Sequence, residues 1–182
     1  MSGAGTGGTQ PRRTLVAGIG NVFLGDDGFG VEVVRRLAGR ALPDGVETAD
    51  IGVRGVHLAY QLLDGYHTAV LVDATRRGGL PGTVYLIDAG HRSGPVESQH
   101  ALLDGHRMAP DAVLSLLDTL SAGTGGERPR RIWVVGCEPA ELEERMGLSE
   151  SVAAAVDEAV RLVLETVTQG QPAARRVAPP VT

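Results

Sequence analysis

Short apolar runs alternate along the chain with longer segments in which apolar residues recur every three or four positions. The runs are typical of buried strands, and the recurring positions are typical of amphipathic helices. Strands are predicted at 14–19, 46–51, 67–73, 83–88 and 131–136, with helices at 28–40 and 56–63, another beginning at Pro110, and a last one after Ser149. This order predicts an α/β fold: a three-layer domain with a mostly parallel, twisted sheet of about five strands, flanked by helices on both faces.

Two of these elements carry more detailed predictions. Residues 83–88 follow a turn rich in glycine and proline, so this strand is expected to add as the hairpin partner of the strand before it. In the last helix, Ser149 is a candidate N-cap, and the apolar positions recur at helical spacing, which predicts one buried face. That face comprises Val152, Val156, Val160, Val163 and Val167.

The two ends of the chain differ in composition from the segment between them. Residues 1–12 and 169–182 are rich in small residues or proline, so both are predicted to be disordered tails. The intervening segment, 13–168, has the length of one α/β domain. No targeting segment and no run of about 18 apolar residues is visible, so we expect a soluble, cytoplasmic protein.

Composition argues against several classes of function. The formal net charge is −5 and the isoelectric point is about 5.5, which argues against binding to nucleic acids or to anionic membranes. All 17 basic residues are arginine, so chemistry that needs a lysine, such as a Schiff base or a phosphate-binding P-loop, is ruled out. The single cysteine, Cys137, excludes an internal disulfide and fits a reducing compartment.

Chemically unusual residues follow three of the predicted strands. A loop with several glycines and two acids, residues 18–30, follows the first strand, Asp73 ends the third, and Cys137 and Glu138 follow the last. A further loop, which contains His106, leads into the third helix. Because the carboxyl ends of parallel strands form one edge of a sheet, where ligands bind, we expect these groups to meet there.

The glycine loop does not match a dinucleotide-binding motif. Gly18 and Gly20 fit the first two glycines of that motif, but Phe23 stands where the third is required. The loop instead carries Asp26 and Asp27 at the entrance to a helix. One acid there could simply cap the helix, but two adjacent acids exceed that need, and only one of them can point into a site.

Two carboxylates and one imidazole are the candidate reactive groups. Asp73 is either a rigidly held ligand or base, or an acid that bonds to the following turn. His106 taken alone would be an exposed loop residue, but its loop can reach the strand ends. Together, Asp27, Asp73 and His106 offer oxygen and nitrogen donors that suit nickel, zinc, manganese or iron. Cys137 is either a nucleophile or a small buried apolar residue, which is the commoner case.

Several segments, in this order, resemble those of the NiFe hydrogenase maturation endopeptidases, and the likeness covers roughly residues 14–167. The segments are 18–31 (GIGNVFLGDDGFGV), 72–74 (VDA), 106–114 (HRMAPDAVL), 135–139 (VGCEP) and 146–152 (MGLSESV). Enzymes of that family remove a short C-terminal extension from the large-subunit precursor of the hydrogenase after it has received nickel. The resemblance implies that this chain is such a peptidase.

The resemblance also implies a set of site residues and partners. The family's metal-contacting positions map to Asp27, Asp73 and His106, which are therefore the expected catalytic and metal-binding residues. The expected cofactor is nickel presented by the precursor, for which another divalent metal could substitute in the isolated protein, with no organic cofactor. The expected partner is the precursor, with no nucleic acid and no membrane, and the enzyme is expected to be a monomer. The loop at 89–104 carries no motif and is the expected determinant of which hydrogenase is processed.

The residues leave the mechanism and two rival functions open. The metal could polarise the scissile carbonyl or activate a water molecule, or a carboxylate could act as general base while the metal only positions the substrate. The expected peptidase is therefore aspartyl-protease-like in its residues, which do not decide between these mechanisms. The rivals are a cysteine hydrolase that uses Cys137, and a nickel-delivery factor that uses the same three ligands without cutting the precursor.

Overall fold

The predicted strands and helices all form close to their expected bounds in the computed structural model, which describes residues 12–90, 109–169 and 173–179. The strands are β1 (Thr14–Ile19), β2 (Val46–Gly52), β3 (Thr68–Ala74), β4 (Val84–Asp88), β5 (Arg131–Cys137) and β6 (Arg175–Val177). The helices are α1 (Phe29–Ala38), α2 (Gly55–Gln61), α3 (Pro110–Thr124) and α4 (Glu150–Gln169), and a 3₁₀ turn (Gly25–Gly28) precedes α1.

The six strands form one sheet in the order β2-β1-β3-β5-β4-β6. The first four strands in this order run parallel, which confirms the mostly parallel sheet, while β4 and β6 are antiparallel to their neighbours. The predicted hairpin is wrong, because β4 pairs with β5 and not with the strand that precedes it in sequence. No helix in the described ranges is both long and apolar enough to cross a membrane.

Alternate residues of the central strands enter opposite faces of the sheet, and each face packs against two helices. In β3, Val70 and Val72 belong to a core with residues of α1 and α4, whereas Ala69 and Leu71 belong to a second core with residues of α2 and α3. This division follows from the two-residue period of a strand. It confirms the three-layer architecture. The predicted apolar face of α4 packs into the first core, with Val167 at its partly buried end.

The C-terminal tail is the main correction to the predicted organisation. The segment 169–182 was expected to be disordered, but β6 lies within it and pairs with β4. Val177 packs against the first core, and the guanidinium of Arg175 contacts the carboxylate of Glu165 on α4 at 2.6 Å. Without β6, β4 would be an exposed sheet edge, so the segment is ordered by long-range pairing that its composition does not reveal. Residues 1–11, most of the other predicted tail, lie outside the described residues.

Truncation after residue 170 should therefore destabilise the protein. We expect the melting temperature to fall by about 3–6 °C, which corresponds to about 1–2 kcal/mol in a chain of this size. The stability is lost because the truncation removes the backbone hydrogen bonds between β6 and β4 and the packing of Val177 against the first core. Calorimetry of the truncated and full chains tests this, with deletion of residues 1–10 as the control expected to have no effect. An unchanged melting temperature after the C-terminal deletion would show that β6 contributes nothing to stability.

Candidate active site

The loop that follows β1 and the end of β3 meet at the carboxyl edge of the sheet, because these two strands are neighbours. A cavity of about 160 Å³ lies at this edge. Asp27 and Asp73 both line it, so the structure brings together the two carboxylates that the sequence analysis identified as candidate site residues. The lining residues are Ile19, Gly20, Asp27, Gly52, Val53, Asp73, Ala74, Arg76, Ala109 and Leu142. His106 lies outside the described residues, so its place at this cavity stays a prediction.

Gly20 allows the acidic loop to fold closely over the strand ends. Its φ is +127°, and a Cβ atom at this position would lie 1.8 Å from the carbonyl oxygen of Asp27 and 3.6 Å from Oδ1 of Asp73. The backbone N–H of Asn21 donates a hydrogen bond of 2.7 Å to Oδ2 of Asp27. The absence of a side chain at residue 20 therefore lets the loop place an oriented carboxylate beside Asp73.

Asp73 is buried, with 5% of its surface exposed. Burial raises the pKa of this carboxyl group well above its usual value, and the negative charge of Asp27 raises it further, although a hydrogen bond from the Ala74 backbone opposes the shift. Two carboxylates in one cavity, one of them desolvated, fit a divalent cation, because a cation bound by both would offset the burial and the repulsion. They equally fit a general base for hydrolysis.

The described residues alone do not complete a metal centre. Within 12–90, 109–169 and 173–179, no group of three or more histidine, cysteine, aspartate or glutamate side chains could hold a metal ion. The pair Asp27 and Asp73 leaves any cation bound there with further coordination positions to fill. A histidine or a donor on another molecule would have to supply them.

Asp26, the neighbour of Asp27, has a structural role. Its side chain is fully buried and accepts hydrogen bonds from the backbone N–H groups of Ala140, Glu141 and Ser149, at 2.6–3.1 Å, and from the Ser149 hydroxyl at 2.9 Å. These bonds tie the acidic loop to the segment after β5 and to the start of α4. The two acids therefore point in different directions, and only Asp27 lines the cavity.

Cys137 and Glu138 are also buried, and neither lines the cavity. Burial raises the pKa of the Cys137 thiol to about 12, with the charges of Asp26 and Glu138 adding to the shift, so the thiolate is unavailable at neutral pH. For Glu138, burial by itself raises the pKa, but the N–H groups of residues 77–79 and a tyrosine hydroxyl stabilise the carboxylate and hold its pKa below the usual value. The geometry argues against the cysteine-hydrolase alternative.

The sequence analysis assigned no role to Arg76, which lines the same cavity. It lies three residues after Asp73, in the loop that leaves the strand end, and that position is the signal that could have identified it. A second cavity of about 250 Å³ adjoins the first and shares Asp73, Ala74, Arg76 and Ala109 with it. Arg76 therefore lies at the junction of the two cavities.

Replacing Asp26 with alanine should lower the free energy of unfolding by about 3 kcal/mol or more. The substitution removes the acceptor of three backbone N–H groups, and a hydrogen bond to a charged group contributes about 1.5–3 kcal/mol. Asp26→Asn should cost less, because an amide oxygen still accepts part of the set. Urea unfolding measures the difference, and Asp44→Ala, at an exposed loop position, should stay within about 0.5 kcal/mol of wild type. Equal stability of Asp26→Ala and Asp44→Ala would contradict the structural role.

Cys137→Ser should keep peptidase activity and lose stability. The thiol is fully buried in the first core, and placing a hydroxyl there costs on the order of 1 kcal/mol or more. Precursor cleavage and the melting temperature should be measured together, with Cys137→Ala as the control that removes the thiol without adding a polar group. A folded Cys137→Ser protein without activity would restore the cysteine as the nucleophile.

Comparison with known proteins shows to which family the chain belongs. The sequence profile described as "Hydrogenase maturation protease" matches residues 31–166. The chain is 31% identical over 159 residues to the hydrogenase 2 maturation protease of Escherichia coli. This match covers 86% of this chain and 92% of that protein. It also resembles a solved structure of the hydrogenase maturating endopeptidase HybD from E. coli, with a TM-score of 0.68, 31% identity, and coverage of 92% of this chain and 97% of that one.

A second solved structure, the hydrogenase 2 maturation peptidase of Thaumarchaeota archaeon SCGC_AB-539-E09, matches with a TM-score of 0.63 and 35% identity. The match covers 85% of this chain and 97% of that chain. The agreement extends over both sequence and fold. The profile match, the sequence identity and the shared fold show that the chain belongs to the hydrogenase maturation protease family.

Proposed function

We propose that this peptidase removes the C-terminal extension of the large-subunit precursor of a NiFe hydrogenase, once the precursor carries nickel. Membership of the maturation protease family supports the reaction class and the kind of partner. The observation that carries the proposal is that Asp27 and Asp73 line one cavity at the carboxyl edge of the sheet. We propose the cytoplasm as the place of action, which suits a chain with one buried free cysteine.

In this proposal, nickel is part of the substrate. Asp27 and Asp73 contact the metal that the precursor presents, and His106 supplies the third contact from the loop before α3. A site that must accept another protein's metal has to keep coordination positions open, and two carboxylates at a partly exposed cavity meet that condition. Tight binding of free nickel would compete with the hydrogenase for its own metal. The isolated enzyme is therefore proposed to be a monomer that binds nickel weakly and has no organic cofactor.

The raised pKa of Asp73 favours a proton-transfer role during hydrolysis. A carboxylate whose ionised form is destabilised by burial and by a like charge is a stronger base than an exposed aspartate. It can take a proton from the attacking water and later return it to the leaving amine. The Asn21 N–H holds Asp27 in place, so that the second carboxylate keeps its orientation during the reaction. In this mechanism the nickel of the precursor would only position the substrate at Asp27 and Asp73. If the ion instead polarised the carbonyl or activated the water, its positive charge would offset the shift at Asp73, and that carboxylate would not be the base.

Cleavage should depend both on nickel in the precursor and on Asp73. Wild-type enzyme incubated with nickel-loaded precursor should yield a product shortened by the extension, whereas precursor without nickel should keep its mass. Asp73→Asn should abolish cleavage without lowering the melting temperature, because it removes a charge that burial destabilises while it keeps the size of the side chain. Intact mass spectrometry and calorimetry measure the two effects.

Asp44→Asn removes the same charge from an exposed position outside the cavity and should cleave normally. Equal cleavage of the two precursor forms would refute the dependence on nickel but leave the peptidase assignment intact. Stoichiometric transfer of nickel with no change in precursor mass would instead support the rival function of a nickel-delivery factor. An active Asp73→Asn variant would remove Asp73 from the site.

A further inference from the structure

Arg76 is the one cationic side chain among the described residues that line the cavity of Asp27 and Asp73. It also lines the adjoining cavity, so its side chain lies where a peptide that spans both cavities would pass. No hydrogen bond or ion pair joins its guanidinium to another residue in the described ranges. The five N–H donors of this group are therefore available to a ligand.

The backbone that follows Arg76 is held by the buried carboxylate of Glu138. This carboxylate accepts hydrogen bonds from the N–H groups of Arg77 at 2.8 Å, Gly78 at 3.3 Å and Gly79 at 3.1 Å, and from the Tyr85 hydroxyl at 2.9 Å. A Cβ atom on residue 79 would lie 2.1 Å from the Tyr85 hydroxyl oxygen, so glycine is required for this approach. Successive N–H groups that converge on one anion form a rigid loop.

The neighbouring arginines contact Tyr85. The guanidinium carbon of Arg77 lies 5.8 Å from the centroid of the Tyr85 ring, and that of Arg176 lies 5.9 Å from it. Both are cation–π contacts. The same loop thus places two adjacent arginines differently: Arg77 lies over the ring and lines only the second cavity, whereas Arg76 lines both cavities at their junction.

Peptide hydrolysis in this cavity creates a specific electrostatic need. When water adds to the scissile carbonyl carbon, a C–O bond forms and the electron pair of the C=O bond moves onto the carbonyl oxygen. That oxygen becomes negative beside two carboxylates, which repel it, and the divalent nickel of the substrate can at most balance those two charges and not the third. A positive group that is fixed in advance and aimed at the oxygen would offset this repulsion, and such groups contribute strongly to catalysis in other hydrolases.

We propose that Arg76 is a catalytic residue whose guanidinium binds the scissile carbonyl oxygen and stabilises its negative charge, and that Glu138 is the residue that positions it. This inference rests on the proposed function. The proton released by the attacking water passes to a carboxylate of the Asp27–Asp73 pair and then to the amine nitrogen as the C–N bond breaks. Arg76 keeps its own protons throughout, because an arginine guanidinium is not deprotonated in proteins.

The test is to measure kcat and KM for cleavage of nickel-loaded precursor by wild type, Arg76→Ala and Arg76→Lys. Arg76→Ala should lower kcat by about 10²- to 10³-fold with little change in KM, which is the loss typical of removing one oxyanion donor. Arg76→Lys should recover part of kcat, because it keeps the charge but loses the planar donor group. The melting temperature should not change, since Arg76 is exposed and has no partner among the described residues.

Arg176→Ala is the matched control, because it removes an exposed guanidinium from Tyr85 and lines neither cavity. It should leave kcat unchanged.

The positioning role is tested by Glu138→Gln in two backgrounds: it should lower kcat in the wild-type enzyme but add little to Arg76→Ala. A residue that acted only on stability would lower the melting temperature and leave kcat of the folded enzyme unchanged in both backgrounds.

Two results would overturn different parts of the inference. Cleavage by Arg76→Ala at the wild-type kcat would remove Arg76 from catalysis while leaving the proposed function intact. A loss of kcat from Glu138→Gln that is the same with and without Arg76 would overturn the positioning role alone. If wild-type enzyme does not cleave nickel-loaded precursor at all, the proposed function fails and the role of Arg76 fails with it.

Discussion

The buried carboxylate of Asp26 is the constraint on which the site depends. It lies in the 3₁₀ turn before α1, yet its four hydrogen-bond donors belong to the segment that runs from β5 to the start of α4. These bonds offset the cost of burying a charge, because the four donors replace the hydrogen bonds that water would make to an exposed carboxylate. They also fix the direction of the turn. The side chain of Asp27, one residue later, therefore lines the cavity at the carboxyl edge of the sheet.

Three carboxylates are buried in the described part of the chain, and they differ in how their charge is compensated. Asp26 and Glu138 each accept hydrogen bonds from three backbone N–H groups and one hydroxyl, so both stabilise loops. Asp73 has the backbone N–H of Ala74 and a second negative charge beside it. Folding alone gains nothing from this arrangement, because an amide of the same size would avoid the cost. Such a local conflict is the physical mark of a functional group.

The family assignment and this electrostatic pattern agree. A maturation protease has to bring an acid–base group to a peptide bond, and the strand ends of an α/β sheet provide rigid positions for it. The loop after β3 continues this design: it leaves Asp73, passes Arg76, and is then held by the carboxylate of Glu138, which also accepts a hydrogen bond from Tyr85. The positions of Asp73 and Arg76 at the cavity thus derive from one strand and one anchored loop.

The sequence by itself determined the elements, the mostly parallel sheet and the strand ends that carry chemistry, because these follow from local periodicity and from the geometry of parallel strands. Tertiary structure decided the rest. The pairing of β4 with β5 depends on contacts between distant segments, which no local pattern encodes. The same holds for the formation of strand β6 in a segment whose composition predicts disorder. Likewise, Asp26 and Asp27 are equivalent in the sequence, and so are Arg76 and Arg77. Hydrogen bonds to residues 140–149 distinguish the two acids, and contacts with Tyr85 and Glu138 distinguish the two arginines, because the direction of a side chain is set by partners that only the folded chain brings within reach.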